Sequence, residues 1–322
     1  MNGWSETGAV KEYLRIITVV TVFAFVAYPT FTNAPIQFRV SYPIFHLTSK
    51  AALLFGGDIM LDRTIRAKME VSGEDFIFSC VADMLRGADL VIANLEGPIT
   101  DNPSMSLGSE IGSSENYTFT FGTSTAELLA RHNIRLVNLG NNHIQNFGWG
   151  GVNATLEYLR AAEVDYFGDP LEKRAAQKDI HGVKLTFINY NEFAPEGWKD
   201  NASTTLAHIH AARSEGRLPI IYAHWGDEYA EKAPERVKQL AHSFIDAGVA
   251  IIIGSHPHIV QDEEVYHGKY IFYSLGNFIF DQYWSDTVRR GLLLNVEFTK
   301  EGVSHVEKIP IDSQSDRRPC AV

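Results

Sequence analysis

Six times along this chain a solid apolar run stops in a cluster of polar side chains that can bind protons or metals. AALLFGGD from Ala51 ends in a Gly-Gly-Asp turn carrying Asp58, and ADLVIANLEG ends in Asn94 and Glu96. IRLVNLGNNH ends in Asn141, Asn142 and His143, and LPIIYAHWGDE ends in His224. VAIIIGSHPH closes on His256 and His258, and KYIFYSLGNF on Asn277. Short continuous apolar runs bounded by turn residues predict strands buried on both faces. Between them, Phe76 to Arg86 and Val152 to Ala162 carry apolar residues at helical spacing, and Pro234 to Ala247 opens on a first-turn proline and closes at Gly248. Alternating strands and helices predict an α/β domain whose functional groups gather at the carboxyl ends of the strands. The stretch RRGLLLNVEFTKEGVSHVEKIPI predicts a hairpin turning at Glu301 and Gly302, so part of the sheet is antiparallel.

The chain divides into an N-terminal segment 1–12, a hydrophobic segment 13–31, an extended linker 32–48, the α/β domain 49–312 and a polar tail 313–322. Within the second of these, IITVVTVFAFVAY from Ile16 carries no charge, follows Lys11 and Arg15, and is closed by Pro29. Its length suits a signal peptide or a signal-anchor. The positive-inside rule keeps segment 1–12 in the cytoplasm and places the domain outside the membrane as a single-pass protein, or as a secreted one if the segment is cleaved. A net charge of -11 excludes unspecific binding to a phosphate backbone, so no nucleic-acid partner is expected. With only Cys80 and Cys320 present, neither a disulfide framework nor a thiolate metal site is indicated.

Asp58, Glu96, Asn142, His224, His256 and His258 make an oxygen and nitrogen donor set without sulfur. Such a set suits two divalent ions sharing a carboxylate, with Mn, Zn or Fe all compatible. Proline biases the residue before it toward extended backbone, which would project His256 and His258 to one side, near enough to serve two neighbouring ions. His208 and His210 sit in a helical pattern instead, where residues two apart diverge. Each feature alone has a plainer explanation: a packed histidine, a turn aspartate, an Asx-turn at Asn141 and Asn142. Together they would require that explanation at several independent strand ends.

The ordered set FGGDIMLDR, ADLVIANLEGPIT, LGNNH, YAHWGDEY, IIGSHPHIVQ and FYSLGNFIFDQ resembles the CapA-type family of poly-gamma-glutamate capsule biosynthesis, itself similar to the calcineurin-like metallophosphatases. The resemblance spans about residues 51 to 299 and implies a four-layer α/β/β/α sandwich of two mixed sheets with a dinuclear site at the strand ends. It implies Asp58 and His258 on the first ion, Glu96 bridging, Asn142, His224 and His256 on the second, and His143 as the group that protonates a leaving oxygen or steadies the transition state. Met60 stands where metallophosphatases carry a ligand histidine, which leaves the first ion short of a donor. Asn146 stands where the family commonly has an aspartate to orient His143. Asn141, Trp225, Glu228, Asn277 and Asp281 are expected to bind substrate or support the ligands, with Trp225 at the rim.

Two functions of different classes fit these residues. One is a surface-exposed metal-dependent hydrolase or transferase acting at a phosphoryl or acyl centre of an anionic envelope polymer or its phosphorylated precursor. The other is a non-catalytic, membrane-tethered accessory of a poly-gamma-glutamate synthesis or export complex, which binds metal and anionic polymer without turnover.

Overall fold

The computed structural model describes residues 49–171, 173–194 and 202–322. The N-terminal segment 1–12, the hydrophobic segment 13–31 and the linker 32–48 lie outside them. Among the described residues no helix is long and apolar enough to cross a membrane.

Two mixed sheets stack into an α/β sandwich. In the first, β1 (Ala51–Ile59), β2 (Leu90–Leu95), β3 (Ile134–Asn138) and β4 (Asp165–Phe167) run parallel. Antiparallel β12 (Arg290–Thr299), β13 (Gly302–Ser313) and β14 (Pro319–Ala321) continue it beyond β1, and short β11 (Asn277–Ile279) pairs with the end of β1. The second sheet has the order β5 (Ala175–Ile180), β6 (Val183–Asn191), β7 (Leu218–His224), β8 (Ile251–Ser255), β10 (Lys269–Phe272), β9 (Glu263–Tyr266). Its four central strands are parallel and its edges antiparallel.

Side-chain alternation explains why the strand sequences are apolar throughout. Leu53, Phe55, Ile92, Leu136, Ile220, Tyr222, Ile251 and Ile253 point into one core between the sheets. Their neighbours turn the other way: Leu54, Val91 and Val137 face helices α1 (Arg63–Ser72), α2 (Ala82–Gly87), α3 (Thr125–Arg131) and α4 (Gly148–Ala161). Ile221, Ala223 and Ile252 face α5 (Ala202–Ser214) and α6 (Glu235–Asp246). Strands covered on both faces have no solvent side on which to place polar residues.

Four local expectations change. Gly56, Gly57 and Asp58 do not form a turn but a bulge inside β1: Phe55 pairs with Ile92 and Asp58 with Asn94, so one extra residue sits on the β1 side. Such a bulge bends the strand and redirects the following side chain, here Asp58. Gly57 is required there because a Cβ would lie 1.8 Å from the Gly276 carbonyl oxygen. Phe76 to Arg86 is not one helix but a 3-10 turn, Glu74–Phe78, followed by α2, with the break around Cys80. Cys80 is bonded to Cys320, 240 residues later, with Cα atoms 5.0 Å apart. The residues 313–322 are therefore not a free tail: Cys320 lies in β14, which pairs with β13 from Ser313 to Ile311. Tertiary placement decides a pairing between residues so distant, and spacing carried no sign of it.

Candidate metal centre

The strand ends of both sheets deliver their polar residues to one place. Asp58, Glu96 and His224 each offer a ligand atom, all within 4.8 Å of one another, and all three residues are fully buried. Asp58 comes from the bulge of β1, Glu96 from the residue after β2, and His224 from the last position of β7. Buried carboxylates persist only when paired, hydrogen-bonded or bound to metal.

A ladder of asparagine amides sets the carboxylates. Asn189 of β6 donates to Asn138 Oδ1 at 2.9 Å, Asn138 to Asn94 Oδ1 at 2.9 Å, and Asn94 to Asp58 Oδ1 at 2.8 Å. Asn94 was legible only as a polar strand end and Asn138 not at all; their role appears once three strands lie side by side. Asn141 belongs to this scaffold. Its amide donates to the Leu95 carbonyl at 2.8 Å, and its Oδ1 accepts the backbone N–H groups of His143 and Ile144, the Asx-turn that presents His143.

His258 and His143 are oriented by the partners of their Nδ1 atoms. Asn277 donates to the Val288 carbonyl at 3.0 Å, which turns its Oδ1 toward His258 Nδ1, 3.0 Å away. His258 Nδ1 therefore carries a proton, and its Nε2 faces Glu96 Oε1 at 3.8 Å. His143 is set in the same way. Asn146 donates to the Tyr117 carbonyl and accepts from His143 Nδ1 at 3.2 Å, leaving Nε2 3.9 Å from Glu96 Oε1. Asn146 thus supplies the orienting acceptor expected of an aspartate, but without its charge. The Ser255 hydroxyl lies 3.0 Å from both the Ala223 carbonyl and His224 Nδ1, the Asn94 amide is 3.4 Å from the same nitrogen, and His224 Nε2 hydrogen-bonds Asn142 Oδ1 at 2.8 Å.

The His-Pro-His segment is not extended. His256 has φ 99° and His258 φ 59°. Tertiary hydrogen bonds override the local proline preference: the His256 N–H donates to Asp58 Oδ2 at 3.2 Å, and the Pro257 carbonyl accepts the Tyr229 N–H at 2.9 Å. Positive φ at two β-branch-free but bulky residues is strain of the kind found at functional sites. The two imidazole rings lie 6.1 Å apart, with His256 edge-on to His224 at 4.8 Å, while the ligand atoms that cluster are those of Asp58, Glu96 and His224. His256 Nδ1 is buried without a hydrogen-bond partner.

Other expected residues sit elsewhere. Trp225 is not at the rim: it is fully buried on the outer face of the second sheet, donating from Nε1 to the Tyr273 carbonyl at 2.9 Å. Asp281 holds the Arg63 guanidinium at 2.5 Å and the Thr64 N–H and hydroxyl at 3.2 and 3.0 Å. Glu228 is exposed on the turn after β7 and acts on the centre through its charge. Met60 is fully buried, and its sulfur accepts the Asp62 N–H at 3.1 Å, so it supplies no ligand. Arg63, not anticipated, stacks on Phe119 and Phe280 at 5.0 and 5.4 Å, the two rings that pack on His143 and His258.

Burial, followed by the nearby Asp58 charge, pushes the Glu96 carboxyl well above its usual range. Burial, followed by the His258 charge, lowers His143 to about 4 and His256 to about 3; burial also holds His224 well below its ordinary value. All three are neutral at pH 7, as ligand histidines must be. In the unfolded chain they would charge below about 6.5, so the metal-free protein is expected to lose stability as pH falls from there, each histidine contributing a slope of up to roughly 1.4 kcal/mol per unit. Glu96 acts in the opposite sense, since its raised pKa makes the fold bind a proton more readily, but it is one group against three. Urea midpoints at pH 7, 6 and 5 in chelator check this; a flat or inverted profile contradicts it.

The residues 52–282 match the family described as bacterial capsule synthesis protein PGA_cap. The chain is 31% identical over 274 residues to the PGA biosynthesis protein CapA of Bacillus subtilis (strain 168), covering 80% of this chain and 70% of that one. It is 27% identical over 319 residues to the capsule biosynthesis protein CapA of Bacillus anthracis, covering 94% and 75%. A probable polyglutamine synthesis accessory protein of Mycobacterium tuberculosis (strain ATCC 25618 / H37Rv) is 26% identical over 168 residues, 44% of each chain.

Proposed function

This chain belongs to the bacterial capsule synthesis protein PGA_cap family, and we propose that it serves poly-gamma-glutamate-type capsule biosynthesis through a divalent metal centre that supports hydrolysis or transfer at a phosphoryl or acyl centre. One observation carries the metal reading. Glu96 Oε1 is buried without a hydrogen-bond donor and is faced by His143 Nε2 and His258 Nε2 at 3.9 and 3.8 Å. Two imidazole nitrogens converging on a buried carboxylate oxygen need a proton or a cation among them, and a divalent cation can be held by all three at once. The donor set of carboxylate, amide and imidazole fits Mn, Zn or Fe.

In this reading Asp58, Glu96 and His258 would hold a first ion, and Glu96, Asn142, His224 and His256 a second. Bound there, the ions would polarise a substrate oxygen and acidify water. The protein's part is to fix the ligands through the asparagine ladder and Asn277, to keep the histidines neutral, and to place His143 Nε2 beside the reacting group. The substrate is an anionic envelope polymer or its phosphorylated precursor. The Cys80–Cys320 bond supports a domain outside the cytoplasm, where disulfides persist, tethered by the hydrophobic segment 13–31 and in reach of membrane synthase or export subunits.

Met60 and Asn146 favour a second reading, an accessory that binds metal and polymer without turnover, because one leaves the first ion short of a ligand and the other leaves His143 without a carboxylate partner. Metal content of the full chain, with turnover of a phosphate ester and of gamma-linked glutamate peptides, separates the two. Turnover that falls at least about 100-fold in His143→Ala supports catalysis. Bound metal with no turnover on either substrate class contradicts it.

A further inference from the structure

We infer that Tyr229 is a substrate-binding residue whose hydroxyl donates a hydrogen bond to an anionic oxygen held beside His258. The inference rests on the proposed metal centre and adds to it the contact that recognises an oxyanion. Tyr229 was not singled out by the sequence, where it is only the last residue of YAHWGDEY.

A chain of hydrogen bonds links this tyrosine to the ligand histidine, and its direction is fixed. The Val288 carbonyl can only accept, so Asn277 turns its NH2 group toward it and its Oδ1 toward His258 Nδ1. The second Asn277 N–H goes to Gln282 Oε1 at 3.1 Å, which leaves the Gln282 NH2 group to donate to the Tyr229 hydroxyl at 3.1 Å. The phenol oxygen therefore enters the chain as an acceptor, and its own proton is left to donate outward. Asn277 and Gln282 are buried, whereas Tyr229 is 42% exposed. The ordered part of the relay lies in the protein and its donor end meets solvent.

The position of Tyr229 is also imposed. Its φ of 61° is one that L-residues with large side chains rarely adopt. The Tyr229 N–H bond to the Pro257 carbonyl holds it there, which ties the residue to the middle of the His-Pro-His segment. The ring lies 6.1 Å from the His258 ring and is braced by Trp284, edge-on at 5.5 Å and itself largely exposed. Backbone strain held in place by neighbours marks functional positions more often than exposed loops at large. An exposed tyrosine fixed at both backbone and hydroxyl loses little freedom when it binds a ligand.

The recognised chemistry is an oxyanion, and two sources share it: a phosphoryl group and a polymer carboxylate. Manganese-loaded full chain is titrated calorimetrically with inorganic phosphate and, separately, with gamma-linked diglutamate, for wild type, Tyr229→Phe and Gln282→Met. A hydrogen bond to a charged acceptor corresponds to a loss of about 10- to 100-fold in affinity for Tyr229→Phe. The expected result is that loss for at least one probe, the affected probe naming the source, with manganese content unchanged. Gln282→Met keeps the phenol but removes the donor that orients it, so it should lose affinity for the same probe by less than Tyr229→Phe does. Equal affinities in wild type and Tyr229→Phe, loss of manganese from Tyr229→Phe, an equal loss in Gln282→Met, or a manganese-loaded wild type that binds neither probe would each overturn the role of Tyr229. Wild type that takes up no manganese, by contrast, brings down the metal centre itself.

Discussion

Glu96→Gln is expected to abolish tight divalent-ion binding and, at the same time, to stabilise the metal-free protein. Glu96 is fully buried beside Asp58, and one of its oxygens has no donor. Burial and the neighbouring carboxylate both disfavour its charge, as its raised pKa records. Glutamine keeps the shape and removes the charge. Relief of a buried, incompletely paired ion is worth roughly 1 to 3 kcal/mol, a rise of several degrees in Tm at this size. The opposite effect on the ion is larger. Loss of a supporting residue alone costs about 10- to 100-fold in metal affinity, so loss of the bridging ligand should exceed about 100-fold. Calorimetric melts in chelator and manganese titrations read both effects on the same preparation. A variant less stable than wild type without metal would mean that Glu96 has a structural partner, and unchanged metal affinity would remove it from the centre.

Reduction of the Cys80–Cys320 bond is expected to cost about 2 to 5 kcal/mol, because the cross-link closes a very long loop in the unfolded chain. For a domain of this size that corresponds to a fall in Tm of roughly 5 to 10 °C. The effect should be local in structure. β14 forms three residue pairs with β13, and Arg318 reaches the same 3-10 turn, donating to Ser79 Oγ at 3.2 Å and stacking on Phe76 at 4.7 Å. None of these residues is a proposed ligand, so metal content should not change. Melts with and without reductant, together with Cys320→Ser, check this; coincident melts would show that the bond contributes nothing.

The parts of the fold legible in the sequence were those whose physics is local. Strands such as Ile251–Ser255 are buried on both faces and are apolar without interruption, and Pro234 caps α6 as a first-turn proline should. The cluster of Asp58, Glu96 and His224 was legible for the same reason, since each follows an apolar run. Geometry that depends on distant chain was not. Whether Gly56 and Gly57 form a turn or a bulge is decided by pairing with β2, and the backbone at His256 and His258 by bonds to Asp58 and Tyr229. Trp225 follows His224 in sequence, yet strand alternation sends it to the opposite face, into the helix layer. Asn94, Asn138 and Asn189 are unremarkable singly and become a ladder only when β2, β3 and β6 are brought together.

The central claim is that this set of strand ends is a divalent-metal centre. Its most direct test is equilibrium dialysis of the chelator-stripped full chain against manganese, with bound metal measured per chain for wild type and His256→Ala. His256 Nδ1 has no hydrogen-bond partner to lose, so its truncation leaves few structural bonds broken beyond ring packing on His224 and Phe193. The expected result is stoichiometric binding by wild type and a loss of affinity of at least about 10-fold in the variant. Equal metal uptake by the two proteins, or none by wild type, would contradict the account.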